Sequence, residues 1–249
     1  MRSKFLMLVA LVLGVFIFYT SATGPFESLV HRSVFLALVI GLGLLTYPLG
    51  AGKRWRPVGI VIDLALAAGA ISACLYVTFN ADAILTTLPW ATTRDMLLAG
   101  ILVVTLLEVA RRAISWIFSP LVLSGIASDL FNTALVTLGI VYALFGDRLS
   151  GPLSHRGFDT AFVTETLFLG DLGVWGMLLG VAATTIAAFV LFGSLLLHTG
   201  GGQTFIDLSM RIGGRSQGGA AKIATVASSL FGMVSGSAVA NVATTGNFT

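Results

Sequence analysis

The residues best suited to chemistry in this chain lie near its far end. After Gly218-Gly219-Ala220-Ala221-Lys222 the sequence reads IATVASSLFGMVSGSAVANVATTGNFT, with no charged residue from Ile223 to Thr249. Its middle holds Ser235-Gly236-Ser237, followed by Asn241, Thr244, Thr245 and Gly246. A simple spanning helix has no need of a polar, flexible break. Broken backbone at membrane depth is tolerated only where it is buried in protein or lines a water-filled cavity. An opened turn exposes carbonyl oxygens, and Ser, Thr and Asn side chains add more, the oxygen-rich coordination that hard cations require. A second half-helix starting near Ala238 would offer N–H groups and the positive end of its dipole to an anion. Cation and carboxylate sites side by side are the chemistry of a cation-coupled anion transporter. The same residues also suit plain helix packing, because Gly232-x-x-x-Gly236 is a small-x-x-x-small pattern. Residue types alone leave the two readings level.

Other candidates weigh toward structure. Asp63 is an intramembrane acid, a functional hypothesis by default; its nearness to Arg54 and Arg56 favours an ion pair there or headgroup-level exposure. Glu108 precedes Arg111 and Arg112 at i,i+3 and i,i+4, the spacing of a helix-face ion pair. Asp129 reads as an interfacial or first-turn carboxylate. His31, His155 and His198 are scattered, and none has an H-x-x-x-H or Cys partner, which argues against a metal site of that kind. Gly213 to Lys222 lacks the G-x-x-x-x-G-K-[ST] order of a phosphate loop, so no nucleotide or other cofactor is expected. The run Gly232-Met-Val-Ser235-Gly236 has no histidine after it to act as a base for a serine nucleophile, so no enzyme is expected.

The elements that position these residues follow from composition. Hydrophobic residues make up 56% of the 249 and charged residues 10%, and the mean hydropathy is +0.97. Ordinary globular domains carry about 25% charged residues, so the chain reads as an all-α polytopic membrane protein. The net charge of +3 then bears on topology and gives no support to nucleic-acid binding. Cys74 is the only cysteine, which excludes an internal disulfide framework. The uncharged stretch Phe5 to Phe26 is longer than the core of a signal peptide, so the first helix is expected to be retained.

With about 20 apolar residues needed per span, about six spans are expected: Phe5–Thr23, Ser33–Leu49, Pro57–Phe79, Met96 into the Glu108–Arg112 cluster, Ala127–Phe145 and Val174–His198. Lys53, Arg54 and Arg56 interrupt after the second, with Trp55 as an interface anchor. The segment from Asp147 to Asp171 reads as a long loop. Basic residues concentrate in alternate loops, which places the N-terminus in the cytoplasm. Beyond Gly200-Gly201-Gly202, Phe205, Leu208, Met210 and Ile212 give an apolar face, with Asp207 and Arg211 at i,i+4. This segment is too short and charged to span, so it reads as an amphipathic interfacial helix. Gly213-Gly214-Arg215 follows. The terminal segment then enters from the cytoplasmic side as the start of a re-entrant helical hairpin.

GGAAKIATVASSLFGMVSGSAVANVATTGNFT resembles the first re-entrant hairpin of the large membrane subunit of tripartite ATP-independent periplasmic (TRAP) transporters. FVLFGSLLLHTGGGQTFIDLSMRIGG resembles the helix and amphipathic segment before that hairpin. YALFGDRLSGPLSHRGF, LEVARR and the Tyr47-Pro48 ending resemble the fused-permease branch, which works with TAXI-type binding proteins. The resemblance implies a small-subunit-like four-helix region over 1–118 and the N-terminal part of the large-subunit-like transport domain over 119–249. It implies sodium-driven import of an organic acid delivered by a periplasmic substrate-binding protein, in the bacterial cytoplasmic (inner) membrane, by an elevator-like motion. Ser235, Gly236, Ser237 and Asn241 then fall on the hairpin-tip motif near sodium and substrate, and Thr244, Thr245 and Gly246 on its second arm. Family chains continue for several hundred residues with a second hairpin, so the chain is expected to be an N-terminal portion with a further C-terminal part as its partner. The alternative is a membrane scaffold that does not transport, or an inactive truncated relic.

Overall fold

The computed structural model describes residues 2–50, 56–86, 90–118, 125–213, 217–235 and 241. Of Arg2, residues 114–118 and 125–133, and Ser235, only the backbone is described. Among the described residues every regular element is helical. The helices are α1 (Arg2–Thr23), α2 (Ser28–Thr46), α3 (Arg56–Phe79), α4 (Ala81–Thr86), α5 (Thr93–Phe118), α6 (Gly125–Phe145), α7 (Thr160–Phe168), α8 (Met177–Val181), α9 (Ala187–His198), α10 (Gly201–Gly213) and α11 (Gly219–Ser235).

Four helical stretches are long and apolar enough to cross a membrane: Ser3–Thr23, Ser28–Thr46, Arg56–Phe79 and Met177–His198. Of the remaining helices, α5 with 26 residues and α6 with 21 have the length as well, about 39 and 31 Å at 1.5 Å per residue. On α5 the charged residues stand near its two ends: Arg94 and Asp95 at one, Glu108, Arg111 and Arg112 toward the other. Phe5, Met7, Leu8, Leu11 and Val15 of α1 are all more than half exposed. An apolar surface that wide belongs in lipid. The chain is an all-α polytopic membrane protein.

The chain divides into two compact units, Met1–Leu13 with Phe26–Gly180, and Gly14–Pro25 with Val181–Thr249. In the first, α2 packs along α3, and α3 along α5. Leu29, Leu36, Ile40 and Leu44 line one face of α2 and meet Ala70, Ala73, Cys74 and Val77 of α3. Small residues set the spacing. A Cβ on Gly69 would lie 2.6 Å from Ile101 Cγ2 on α5, and one on Gly43 would lie 2.9 Å from Val109 Cγ1. Between the facing helices Ser33 and Thr78 share a hydroxyl hydrogen bond of 2.7 Å, a contact suited to an apolar surround.

Helix ends differ from the expected ones for local reasons. α2 starts at Ser28 instead of Ser33, because the Glu27 carboxylate caps it, accepting from Leu29 N at 3.1 Å and Val30 N at 3.2 Å. It stops at Thr46 instead of Leu49, just before Pro48, whose missing N–H and fixed ring disfavour continuation. The expected long loop after Asp147 is not a loop throughout. It contains α7, capped by Asp159, and α7 packs on α5. Trp175, fully buried, donates from Nε1 to Phe168 O at 2.7 Å. The sixth expected span starts at Met177, three residues late, and Ala182–Ile186 within it is a π-helical turn.

In the second unit, α9, α10 and α11 pack on one another. Gly200 at φ +93 and Gly218 at φ +73 turn the chain before α10 and α11, in the left-handed region where glycine pays no Cβ penalty.

Candidate functional site

α11 begins one residue after Gly218 and runs for 17 residues, about 25 Å at 1.5 Å per residue. Ala224, Ala227 and Phe231 form its buried face. Phe231 meets Phe205 of α10 edge to face, with ring centroids 5.5 Å apart. Ser209 of α10 is fully buried and donates to Phe205 O at 2.6 Å. The face that α10 turns to its neighbours is therefore built from Phe205, Ser209 and Gly213, while Leu208, Met210 and Ile212 of the expected apolar face are exposed. Exposed apolar side chains opposite a packed face suit a helix lying at a membrane interface. Asp207 accepts a hydrogen bond of 3.3 Å from Gln203, and no ion pair with Arg211 forms among the described residues.

The polar side chains of α11 follow two rules. Thr225 and Ser229 turn their hydroxyls back to Ala221 O and Thr225 O, each at 2.9 Å, which satisfies them within the helix. Ser228 instead donates its hydroxyl to Asn241 Oδ1 at 3.4 Å, and Asn241 Nδ2 donates to Ser228 O at 3.0 Å. A Cβ on Gly232 would stand 3.3 Å from that Nδ2, so the absent side chain one turn further on leaves room for the amide. Ser228 lies about 10 Å back along the axis from Ser235 at 1.5 Å per residue. Six residues past the end of α11 the chain is thus back beside its middle.

Of the predicted site residues, Asn241 stands on this hairpin contact and Ser235 ends α11. Gly236, Ser237, Thr244, Thr245 and Gly246 lie outside the described residues, as do Lys53, Arg54, Trp55, Gly214, Arg215 and the Asp129 side chain. Ser228 and Gly232 were not among the candidates for the site. Their four-residue spacing on one helix face was the available signal, but nothing in the sequence marks Asn241 as its partner.

A second polar cluster belongs to the first unit. Asp63 of α3 was expected either to pair at the Arg54 and Arg56 end or to be exposed at headgroup level; Arg54 lies outside the described residues. The partner of Asp63 is Arg112 of α5, whose Nη1 lies 2.7 Å from Asp63 Oδ1 and also donates to Tyr47 O at 3.1 Å. The reason is facing: Asp63 and Arg112 are 13% and 7% exposed where their helices pack. Glu108 holds Arg111 at 2.8 Å and Arg112 at 2.7 Å, as its spacing predicted. Two carboxylates thus meet two guanidinium groups, and the cluster is neutral. Leu49 N donates to Asp63 Oδ2 at 3.0 Å. Gly59, one turn earlier on α3, admits the same backbone, since a Cβ there would fall 2.3 Å from Leu49 O. The arrangement is a clamp that ties the end of α2 to α3 and α5; within it, among the described residues, Arg112 Nη2 is buried without a hydrogen-bond partner.

In the segment YALFGDRLSGPLSHRGF, His155 closes a compact turn. Its Nε2 lies 2.8 Å from Tyr142 O and its Nδ1 accepts from Gly157 N at 3.0 Å. A Cβ on Gly146 would sit 1.9 Å from the imidazole, so only glycine fits. No group of three or more potential metal-ligating His, Cys, Asp or Glu residues occurs among the described residues.

Residues 101–249 match the family described as Tripartite ATP-independent periplasmic transporter, DctM component. No curated protein and no solved structure matches the chain.

Proposed function

The chain belongs to the DctM family of tripartite ATP-independent periplasmic transporter components, a family of transporters and not of enzymes, and from that membership we propose a sodium-coupled importer of an organic acid. In this reading the chain is a membrane permease component that receives its carboxylate substrate from a periplasmic substrate-binding protein. It sits in the bacterial inner membrane with its N-terminus in the cytoplasm. Residues 1–118 act as the small-subunit-like region and 119–249 as the start of the transport domain, in the manner of the fused, TAXI-type branch.

The observation that carries the reading is the return of the chain at Asn241 to Ser228. That return falls within an uncharged segment, and backbone opened at membrane depth needs a cavity or a ligand. In the proposed mechanism the Ser235, Gly236 and Ser237 oxygens hold sodium. The start of the second arm, with Thr244, Thr245 and Gly246, faces the substrate carboxylate with N–H groups. Asn241, already bonded to Ser228, holds the two arms in register so that these oxygens converge. Sodium binding then favours one arrangement of the tip, and the carboxylate binds where that arrangement offers positive potential.

The test is uptake of organic acids into proteoliposomes that contain the permease, driven by a sodium gradient in the presence of its binding protein. Uptake that stops when potassium replaces sodium supports the reading. Ser237→Ala and Asn241→Ala are each expected to raise the half-saturating sodium concentration about 5-fold, the equivalent of one hydrogen bond. Equal uptake in sodium and potassium overturns sodium coupling. A folded permease that engages its binding protein yet moves no organic acid would instead favour a scaffold.

A further inference from the structure

Residues of α1, α2 and α3 line an apolar groove. It encloses about 760 Å³, within the range of pockets that bury most of a small ligand. Phe5 of α1, Leu44 of α2 and Leu64 of α3 line it, and among the described residues its only charged lining residues are Arg56 and Asp63. The two charges are not equivalent. Asp63 is neutralised by Arg112 at 2.7 Å. Arg56 is exposed and has no carboxylate partner among the described residues. It is also the first residue of α3, about 10 Å along the helix from Asp63 at 1.5 Å per residue. Lys53 and Arg54 precede it directly in the sequence.

An apolar trough within the span, with a guanidinium at its end that has no carboxylate partner among the described residues, suits an anionic amphiphile in shape and charge order. We propose that this groove binds one anionic phospholipid, with an acyl chain along α1–α3 and the phosphate at Arg56. Basic pockets between spanning helices capture anionic headgroups by the same logic. The guanidinium offers a planar pair of donors to phosphate oxygens, and the neutralised Asp63 leaves no net negative charge deeper in the groove to repel them. Gly41 lies in the lining with nothing within 4 Å of where its Cβ would stand, so a side chain there would project into the space the acyl chain needs.

The full chain in detergent is titrated with phosphatidylglycerol and with phosphatidylcholine of the same acyl chains, and bound lipid is counted by native mass spectrometry. Wild type is expected to hold phosphatidylglycerol about 5-fold more tightly, the equivalent of one basic residue at the headgroup. Arg56→Gln should erase that preference and leave phosphatidylcholine binding unchanged, whereas Gly41→Phe should weaken both lipids. Arg56→Gln alters an exposed residue outside the core, which keeps the test decisive if Gly41→Phe fails to fold. Equal affinity of wild type for the two lipids, full preference retained in Arg56→Gln, or undiminished binding by Gly41→Phe each overturns the proposal. Dimers that form through this face and exclude lipid overturn it as well.

Discussion

Replacing Arg112 by leucine is the sharpest test of how the first unit is held together. Arg112 is 7% exposed and links three elements, through Asp63 on α3, Glu108 on α5 and the Tyr47 carbonyl after α2. Its loss leaves Glu108 with Arg111, but among the described residues leaves Asp63, 13% exposed, with only the Leu49 N–H. Removing one partner of a buried pair costs about 3–5 kcal/mol, because the other charge stays buried and uncompensated. At about 2–4 °C per kcal/mol for a chain of this size, Arg112→Leu should lower the melting temperature in detergent by about 6–20 °C. Arg111 contacts the same glutamate but is 37% exposed, and an exposed pair contributes about 0–1 kcal/mol. Arg111→Ala should therefore shift melting by only a few degrees on that scale. The double variant Asp63→Leu/Arg112→Leu should recover much of the loss, since apolar replacement of a whole buried pair is often neutral. The assay is thermal unfolding of the purified protein followed by circular dichroism. If Arg112→Leu melts no lower than Arg111→Ala, the clamp is not what joins these helices.

Glu27 offers a pH-dependent counterpart. Partial burial raises the pKa of its carboxyl, but hydrogen bonds from Leu29 N, Val30 N and Ser28 outweigh that and hold it below the ordinary value. A lowered folded-state pKa means that the cap contributes fully above the unfolded value, about 4.3, and that its contribution is lost as pH falls through the folded value. Wild type should therefore melt above Glu27→Gln at pH 7, by less than about 1 kcal/mol for an exposed cap, and the gap should close in acid. The hairpin contact is testable by geometry alone. Ser228→Cys with Asn241→Cys should be joined by a short thiol-to-thiol cross-linker. Ala221→Cys with Asn241→Cys should not, because Ala221 lies about 10 Å further down the helix.

The helices and their membrane character were legible because apolar runs of spanning length are a strong, local signal. α3 begins one residue before its expected start, and α10 lies where the short charged segment predicted. What escaped the sequence depends on distant partners or on caps. The separation of 49 positions between Asp63 and Arg112 hides their pairing, and the near residues Arg54 and Arg56 drew the expectation toward a local partner or headgroup-level exposure. α7 is only nine residues long, and its polar capping residue Asp159 resembles loop composition. At the candidate site, the polar break between Ser235 and Asn241 was visible as chemistry out of place. Ser228 and Gly232 were not, because a serine and a glycine one turn apart look like ordinary packing until the returning strand of chain meets them.

The proposed sodium site is at Ser235, Gly236 and Ser237. Cys74 is the only cysteine and is fully buried, so a thiol introduced one residue after Ser237 by Ala238→Cys can be followed by maleimide labelling with little background. The account predicts that sodium, and not potassium, slows labelling of that thiol. Identical labelling rates in the two salts, in a protein whose Ser228–Asn241 cross-link still forms, would contradict it.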